Sequence, residues 1–283
     1  PVDWFKAYVQ GQDTREFESE RKNVPFVAGS EGDDPFDLRQ AYVELGNAAK
    51  FPVVAKVGRQ EFIYGDERLI GAFDWNNFSR TFDAVKLRYD APDQKFWVDA
   101  FASHVVEIRE YGPDENRGWT FNDANWQDTF AGIYGSTTLI PKQTTDAYFL
   151  YRNKKDNDPL YSDSLGNVAR AYDIRQEIYT AGVRVKSLPG TLAGFDYEAE
   201  GAYQFGRDQG RIALAYPNAS GEMLDHEAYA FEARVGYTWE DVKWKPRLGV
   251  EYSFASGDTD PNDDKDESFL NLFPTNHKFY GYM

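Results

Sequence analysis

Apolar and polar residues alternate with a period of two along much of the chain, and this pattern predicts β-strands because successive side chains of a strand point to opposite faces. The alternation is clearest over 195–206, 228–239 and 245–254. It recurs over 178–186 and 84–89. Each of these predicted strands has one apolar, aromatic face and one polar or charged face.

Weaker alternation predicts further strands and brings their number to about eleven. They lie near 3–16, 37–47, 51–63, 95–108, 127–139 and 143–153. Short turns are predicted at 46–50, 90–95, 140–143, 188–193 and 240–243. The links between them are long and polar, namely 17–36, 64–79, 109–126, 154–173, 207–226 and the segment from 256 onward.

Regular alternation of short and long connections is typical of an outer-membrane β-barrel, whose short turns face the periplasm and whose long loops face outside. The expected fold is therefore all-β, a transmembrane antiparallel up-and-down β-barrel with its apolar faces toward lipid. The alternative is a soluble barrel or sandwich with its apolar face inside. In that fold Tyr203, Val235 and Val250 would point into a closed core, and the one-sided loop lengths would be unexplained.

An odd number of strands predicts an incomplete barrel, because a bacterial barrel has an even number and returns to the periplasm. The eleventh strand is followed by a long loop that runs to Met283. Residues 1–283 are thus expected to form one barrel domain, with further strands beyond Met283 and also before Pro1.

The composition excludes several classes of protein and site. The chain has 31 Lys and Arg against 47 Asp and Glu, a net charge of −16, and no cysteine. The acidic balance argues against nucleic-acid binding. The lack of cysteine excludes disulfides, thiolate metal sites and cysteine nucleophiles. No apolar run approaches the length of about 18 residues that a membrane helix needs.

Two stretches of the sequence carry a family resemblance. The first is VGRQEFIYGDERLIG at 57–71, continued by DWNN at 74–77 and RTFD at 80–83. The second is FASGD at 254–258 with LFPTNHKFYGYM at 272–283. Both resemble the alginate export family of outer-membrane barrels. Arg68, Arg80 and Asp83 are the motif residues that the resemblance singles out.

The resemblance implies a monomeric channel of the bacterial outer membrane that passes an anionic exopolysaccharide through a lumen lined with Arg and Lys. Its other partners would be outer-membrane lipid and lipopolysaccharide. Family barrels have more strands than this chain, and the aromatic strand that usually closes them is not found here. This departure agrees with the expectation of an incomplete barrel.

The polar faces of the strands supply the candidate lumen residues. Basic residues expected there are Lys6, Lys86, Arg88, Arg184, Lys186, Arg234, Lys245 and Arg247. Acids on the same faces are Glu44, Asp99, Glu198, Glu200, Glu232 and Glu251. Eight cations against six acids leave a mildly basic lumen, which suits an anionic polymer. Arg59 joins the set on the resemblance alone. The alternative is that these cations only pair with acids across strands.

Export or diffusion of an alginate-like polysaccharide is the predicted function, and an outer-membrane glycan-modifying enzyme and a glycan-binding β-module are the alternatives. The chain has three histidines, His104, His226 and His277, and none lies in a recognisable metal or hydrolase spacing. No catalytic residue is assigned, and the protein is not expected to be an enzyme.

One loop could bind calcium. Residues 257–267 are dense in carboxylates, and Asp258, Asp260 and Asp264 are the candidate ligands. The loop is not an EF-hand, because Asp263 stands where that motif needs glycine. A solvated acidic loop is the alternative, and no other cofactor is expected.

Overall fold

Antiparallel strands form one continuous sheet in the computed structural model. The structure describes residues 3–14, 34–74, 79–107, 121–156, 161–162, 168–169, 174–209, 223–260, 263–275 and 278. The strands are β1 (Phe5–Thr14), β2 (Asp34–Leu45), β3 (Val53–Gln60), β4 (Phe82–Asp90), β5 (Phe96–Glu107), β6 (Asp123–Thr137), β7 (Gln143–Asp156), β8 (Tyr161–Ser162), β9 (Val168–Ala169), β10 (Ile174–Ser187), β11 (Phe195–Asp208), β12 (Leu224–Thr238), β13 (Arg247–Ala255) and β14 (Lys265–Asp266). None of the described residues forms a helix long and apolar enough to cross a membrane.

The topology is an up-and-down meander. Hydrogen-bonded neighbours run in the order β1 to β7 and then β10 to β13, while β14 pairs in parallel with β12 and the short strands β8 and β9 pair only with each other. All eleven predicted strands are confirmed, and so are the five predicted short turns. Within the described strands the order does not return on itself, so β1 and β13 are the two edges of the sheet. The prediction of an incomplete barrel is consistent with this arrangement.

The outer face of the sheet is apolar and open. Tyr203, Val235 and Val250 are 48%, 53% and 69% exposed. These are the residues that a soluble barrel or sandwich would bury. An apolar face turned outward over so many strands is the pattern of a lipid-facing barrel surface.

A connection folds against the inner face. Residues 61–74, here called the inner segment, follow β3, and their Phe62 ring lies 4.7 Å from Phe82 of β4 and 4.6 Å from Phe101 of β5. Tyr64 stacks 4.5 Å from Tyr134 of β6. The prediction of an external polar loop at 64–79 is therefore wrong for the part that is described. Its apolar side chains, such as Ile70, are buried against the sheet because water would solvate them poorly.

A second stretch joins the inner segment there. Residues 268–275, here called the second inner segment, place the Phe273 ring 4.8 Å from Phe130 and 5.2 Å from Phe82. The two segments also share backbone hydrogen bonds, from Gly71 N–H to Phe273 O at 2.8 Å and from Phe273 N–H to Leu69 O at 2.8 Å. Together they form the hydrophobic core of the molecule on the inner face.

The sheet curves around the inner segment. Phe62 contacts β4, whereas Arg68 reaches Glu232 on β12, six strand positions away. In a flat sheet six spacings would measure about 29 Å. The backbone of six residues spans at most about 21 Å even when extended, so it does not by itself bridge that distance. A turn closed by Glu67 N–H on Tyr64 O shortens the segment further, and Gly65 within it has a φ of 58° that favours glycine.

Candidate functional site: the charged inner face

Lysines from three strands lie at one height on the inner face. Lys6 opposes Glu44, Glu44 opposes Lys56, and Lys56 opposes Lys86 in the register of β1 to β4. Opposing residues of antiparallel strands project to the same side. Lys6, Lys56 and Lys86 are here called the lysine row.

The lysine row is short of acids. Lys6 Nζ lies 3.1 Å from Glu44 Oε2, and Lys86 Nζ lies 3.4 Å from Asp99 Oδ2. Lys56 Nζ lies 3.5 Å above the ring of Tyr42. Asp99 is shared, because Arg88 Nη1 is 3.2 Å from its Oδ1. Two lysines placed directly opposite each other repel, and such a pair costs stability unless an anion lies between them.

A second charged group surrounds the tip of the inner segment. Arg184 of β10 donates to Asp66 at 3.0 Å, to Asp146 at 2.7 Å and to Glu198 at 2.6 Å. Lys186 lies 2.9 Å from Asp66 and 3.1 Å from Glu198.

Arg234 of β12 donates to Asp66 and Glu198 as well. These six residues are here called the Asp66 cluster. The three cations meet three carboxylates, so the cluster is balanced in charge.

Asp66 is held firmly as an anion. Burial alone raises the pKa of the Asp66 carboxyl, but the hydrogen bond from Lys186 and the positive charges of Arg234 and Arg184 outweigh burial and hold this pKa well below its usual range. The Asp66 cluster therefore binds a carboxylate inside the fold, and that carboxylate is the protein's own.

The motif residues fix the two inner segments. Arg68 donates to Glu232 and Glu251 on β12 and β13. Arg80 donates to Pro274 O at 3.1 Å. Burial, reinforced by the nearby charge of Arg152, lowers the pKa of Arg80 to about 10, so Arg80 stays charged at neutral pH.

Tyrosine hydroxyls satisfy several inner acids. Trp97, Tyr134 and Tyr148 stack in sequence, with centroids 5.7 and 5.5 Å apart. The hydroxyl groups donate at 2.8 Å, from Tyr64 to Asp99, Tyr134 to Asp146 and Tyr148 to Glu200. Tyr148 lies over Gly182, where a Cβ would meet its ring at 2.3 Å. The acids of this region are thus committed to internal contacts.

The predicted lumen cations separate into several environments. Lys6 and Lys86 belong to the lysine row, and Arg88 shares Asp99 with Lys86. Arg184, Lys186 and Arg234 belong to the Asp66 cluster. Arg247 lies at the short-turn rim, where it donates to Asp196 at 2.6 and 2.9 Å across Gly236. Lys245 is in the turn before β13 with a φ of 43°, so it does not extend the polar face of that strand.

The placement of Arg59 in the lumen is wrong. Arg59 opposes Asp83, and its guanidinium donates to both carboxylate oxygens of Asp83 at 2.9 and 3.0 Å. Asp83 projects to the same side as Val85, which is 51% exposed on the outer face. Asp83, the third motif residue, therefore pairs with Arg59 outside the lumen.

The inner position on β3 belongs to Lys56, which sequence reasoning missed. Val53 and Val54 are both apolar and hide the alternation of this strand. Arg59 was expected in the lumen. Lys56 is an odd number of residues away from it, so period-two counting from that expectation would have placed Lys56 on the outer face.

The candidate calcium ligands do not converge. Asp258, Asp260 and Asp264 are exposed. Asp258 Oδ1 accepts the N–H of Asp260 at 3.3 Å, as in a tight polar turn. Calcium binding by this loop stays a prediction. Among the described residues the group able to hold a metal ion is a different one, Asp208, His226 and Asp266.

Comparison with known proteins adds one finding. The family described as "Alginate export" matches residues 2–283, nearly the whole chain. No curated protein matches the sequence.

Proposed function

The chain belongs to the alginate export family, and from that premise we propose that the intact protein is an outer-membrane channel for export or diffusion of an anionic, alginate-like polysaccharide. The observation that carries this proposal is the lysine row. Lys56 and Lys86 face each other on the inner side of β3 and β4, and among the described residues of β1 to β4 Glu44 is the acid in register with the row.

The chemistry of lysine suits passage of a polymer. An ammonium group is a compact, strongly hydrated point charge on a flexible stem, whereas a guanidinium holds a carboxylate with two parallel hydrogen bonds. Conduction needs binding that is weak and repeated enough to allow release. A row of lysines attracts successive uronate carboxylates without trapping any of them.

The polymer path that we propose follows β1 to β4. The inner segment begins to cover the inner face at β4, where Phe62 packs on Phe82, and it is anchored to β10, β12 and β13 by Asp66 and Arg68. Lys6 lies on the edge strand β1, and its side chain is 60% exposed. The outer apolar face would contact lipid, and its upper rim would meet lipopolysaccharide.

Conductance of the intact protein in planar bilayers tests the proposal. A salt gradient gives the ion preference, and an oligouronate is then compared with a neutral oligosaccharide of equal length. We expect anion preference and block by the oligouronate alone. Equal block by both sugars, or no block by either, would overturn the proposal. Chemical alteration of the oligouronate on incubation would favour the glycan-modifying enzyme instead.

A further inference from the structure

Two carboxylates and an imidazole converge at the long-loop end of the sheet. Asp208 ends β11, His226 is near the start of β12, and Asp266 lies on β14, which pairs in parallel with β12. One ligand atom from each lies within 4.8 Å of the other two. The three residues are 3%, 1% and 4% exposed, so the group is shielded from solvent.

Two described cations next to the group in sequence, Lys265 and Arg207, contact other acids. Lys265 Nζ lies 2.9 Å from Glu227 rather than turning to Asp266. Arg207 lies 3.7 Å from Asp225. These two cations project to the opposite face because neighbours on a strand do so. Among the described residues, Asp208 Oδ2 accepts from Gln176 Nε2 at 3.2 Å and Asp266 Oδ1 accepts the N–H of Ser268 at 2.8 Å.

A neighbouring amide fixes the imidazole of His226. Gln204 Oε1 accepts the N–H of Leu270 at 2.8 Å, and Gln204 Nε2 donates to Leu270 O at 2.9 Å, so the orientation of this amide is set. His226 Nε2 lies 3.3 Å from that oxygen and must donate to it. Nδ1 is then the nitrogen that carries the lone pair of a neutral imidazole. Orientation of one ring nitrogen by an oxygen acceptor is the usual support of a metal-ligating histidine.

We propose that Asp208, His226 and Asp266 bind a zinc ion. One imidazole nitrogen and two carboxylate oxygens match the ligands that zinc accepts, with water as the fourth. Tetrahedral zinc places its ligand atoms about 3.4 Å apart, so binding requires the three side chains to close from their separations of up to 4.8 Å. The ion would fasten Asp266, and with it the second inner segment, to the barrel wall at β11 and β12.

Zinc binding by the intact, chelator-treated protein tests this site. Titration calorimetry with zinc chloride is expected to show one tight site. His226→Gln is expected to weaken binding at least tenfold, and Asp266→Asn to weaken it too. Asp264→Asn, which removes an exposed acid from the same loop, and His104→Gln, which removes a histidine elsewhere, are expected to bind as the wild type does.

Three results of the titrations would overturn the site. They are no tight zinc binding, unchanged affinity in His226→Gln, or calcium binding as strongly as zinc. X-ray absorption at the zinc edge of the wild-type protein reads the imidazole ligand directly, so the test holds even if His226→Gln does not fold. A spectrum with oxygen ligands alone would contradict the proposal.

Discussion

Asp66 joins the inner segment to Arg184 on the inner face of the distant strand β10, with its Oδ1 3.0 Å from Arg184 Nη2. Lys186 and Arg234 hold the same carboxylate. Asp66→Asn removes a charged acceptor with 14% side-chain exposure and is expected to lower the free energy of unfolding by about 1.5–3 kcal/mol. Chemical denaturation measures this. The exposed Asp3→Asn serves as the control, and an equal loss in both variants would contradict the role of Asp66.

The Asp66 contacts also predict a pH dependence. The folded pKa of Asp66 lies below its ordinary value of 3.8. A lowered pKa contributes stability above the ordinary value, and this contribution is lost as the pH falls through the folded pKa. The difference in melting temperature between the wild type and Asp66→Asn should therefore stay constant from about pH 7 to pH 5 and shrink below about pH 4. A difference that disappears near pH 6 would contradict this.

Two arginines on the inner face should differ in their contribution to stability. Arg184 has a side chain 6% exposed among three carboxylates, whereas Arg247 is 47% exposed beside Asp196. Arg184→Gln leaves buried acids unpaired and is expected to cost about 3–5 kcal/mol. Arg247→Gln is expected to cost at most about 1 kcal/mol. Denaturation of the two variants side by side checks the order, and similar losses would argue against the Asp66 cluster as a structural network.

Close packing of the two inner segments depends on Gly71. A Cβ at this position would lie 2.2 Å from Thr275 Oγ1 and 2.8 Å from Glu67 Cβ. Gly71→Ala is expected to cost about 1–3 kcal/mol because one segment must shift. At Gly201 a Cβ meets nothing within 4 Å, so Gly201→Ala is the matched control. Equal stability of the two variants would show that the segments are not packed as described.

The fold could be predicted because the two faces of a barrel strand appear in the sequence as alternating apolar and polar residues. Tyr203 and Val235 alternate with polar neighbours and lie outside, as the pattern predicts. Contacts over long sequence separations left no such signal. Asp66 meets Arg234 across 168 residues, and nothing local distinguishes it from the acids of an exposed loop. The apolar residues Phe62, Leu69 and Ile70 are the feature of the sequence that could have indicated that this segment folds inward.

Site residues were harder to predict, since register decides which charges meet. On the inner face, Lys86 lies opposite a second lysine, whereas Arg184 lies among three acids. The strand pattern alone predicts only that both are lumen cations and does not distinguish their surroundings. The placement of Arg59 depended on the resemblance alone, because the two valines at the start of β3 obscure the alternation that would have shown its face. A one-residue error exchanges the two faces of a strand.

Ion selectivity of the double variant Lys56→Gln/Lys86→Gln tests the central claim most directly. The matched control is Lys50→Gln/Lys142→Gln, which removes two exposed lysines from the short turns. Reversal potentials in a salt gradient, measured on the intact protein in planar bilayers, should show a clear loss of anion preference and at least tenfold weaker block by oligouronate in the first variant alone. Folding should be retained, because the substitutions remove two like charges that face each other and Arg88 still pairs with the buried Asp99. Unchanged selectivity and block in Lys56→Gln/Lys86→Gln would contradict the assignment of the lysine row as the polysaccharide path.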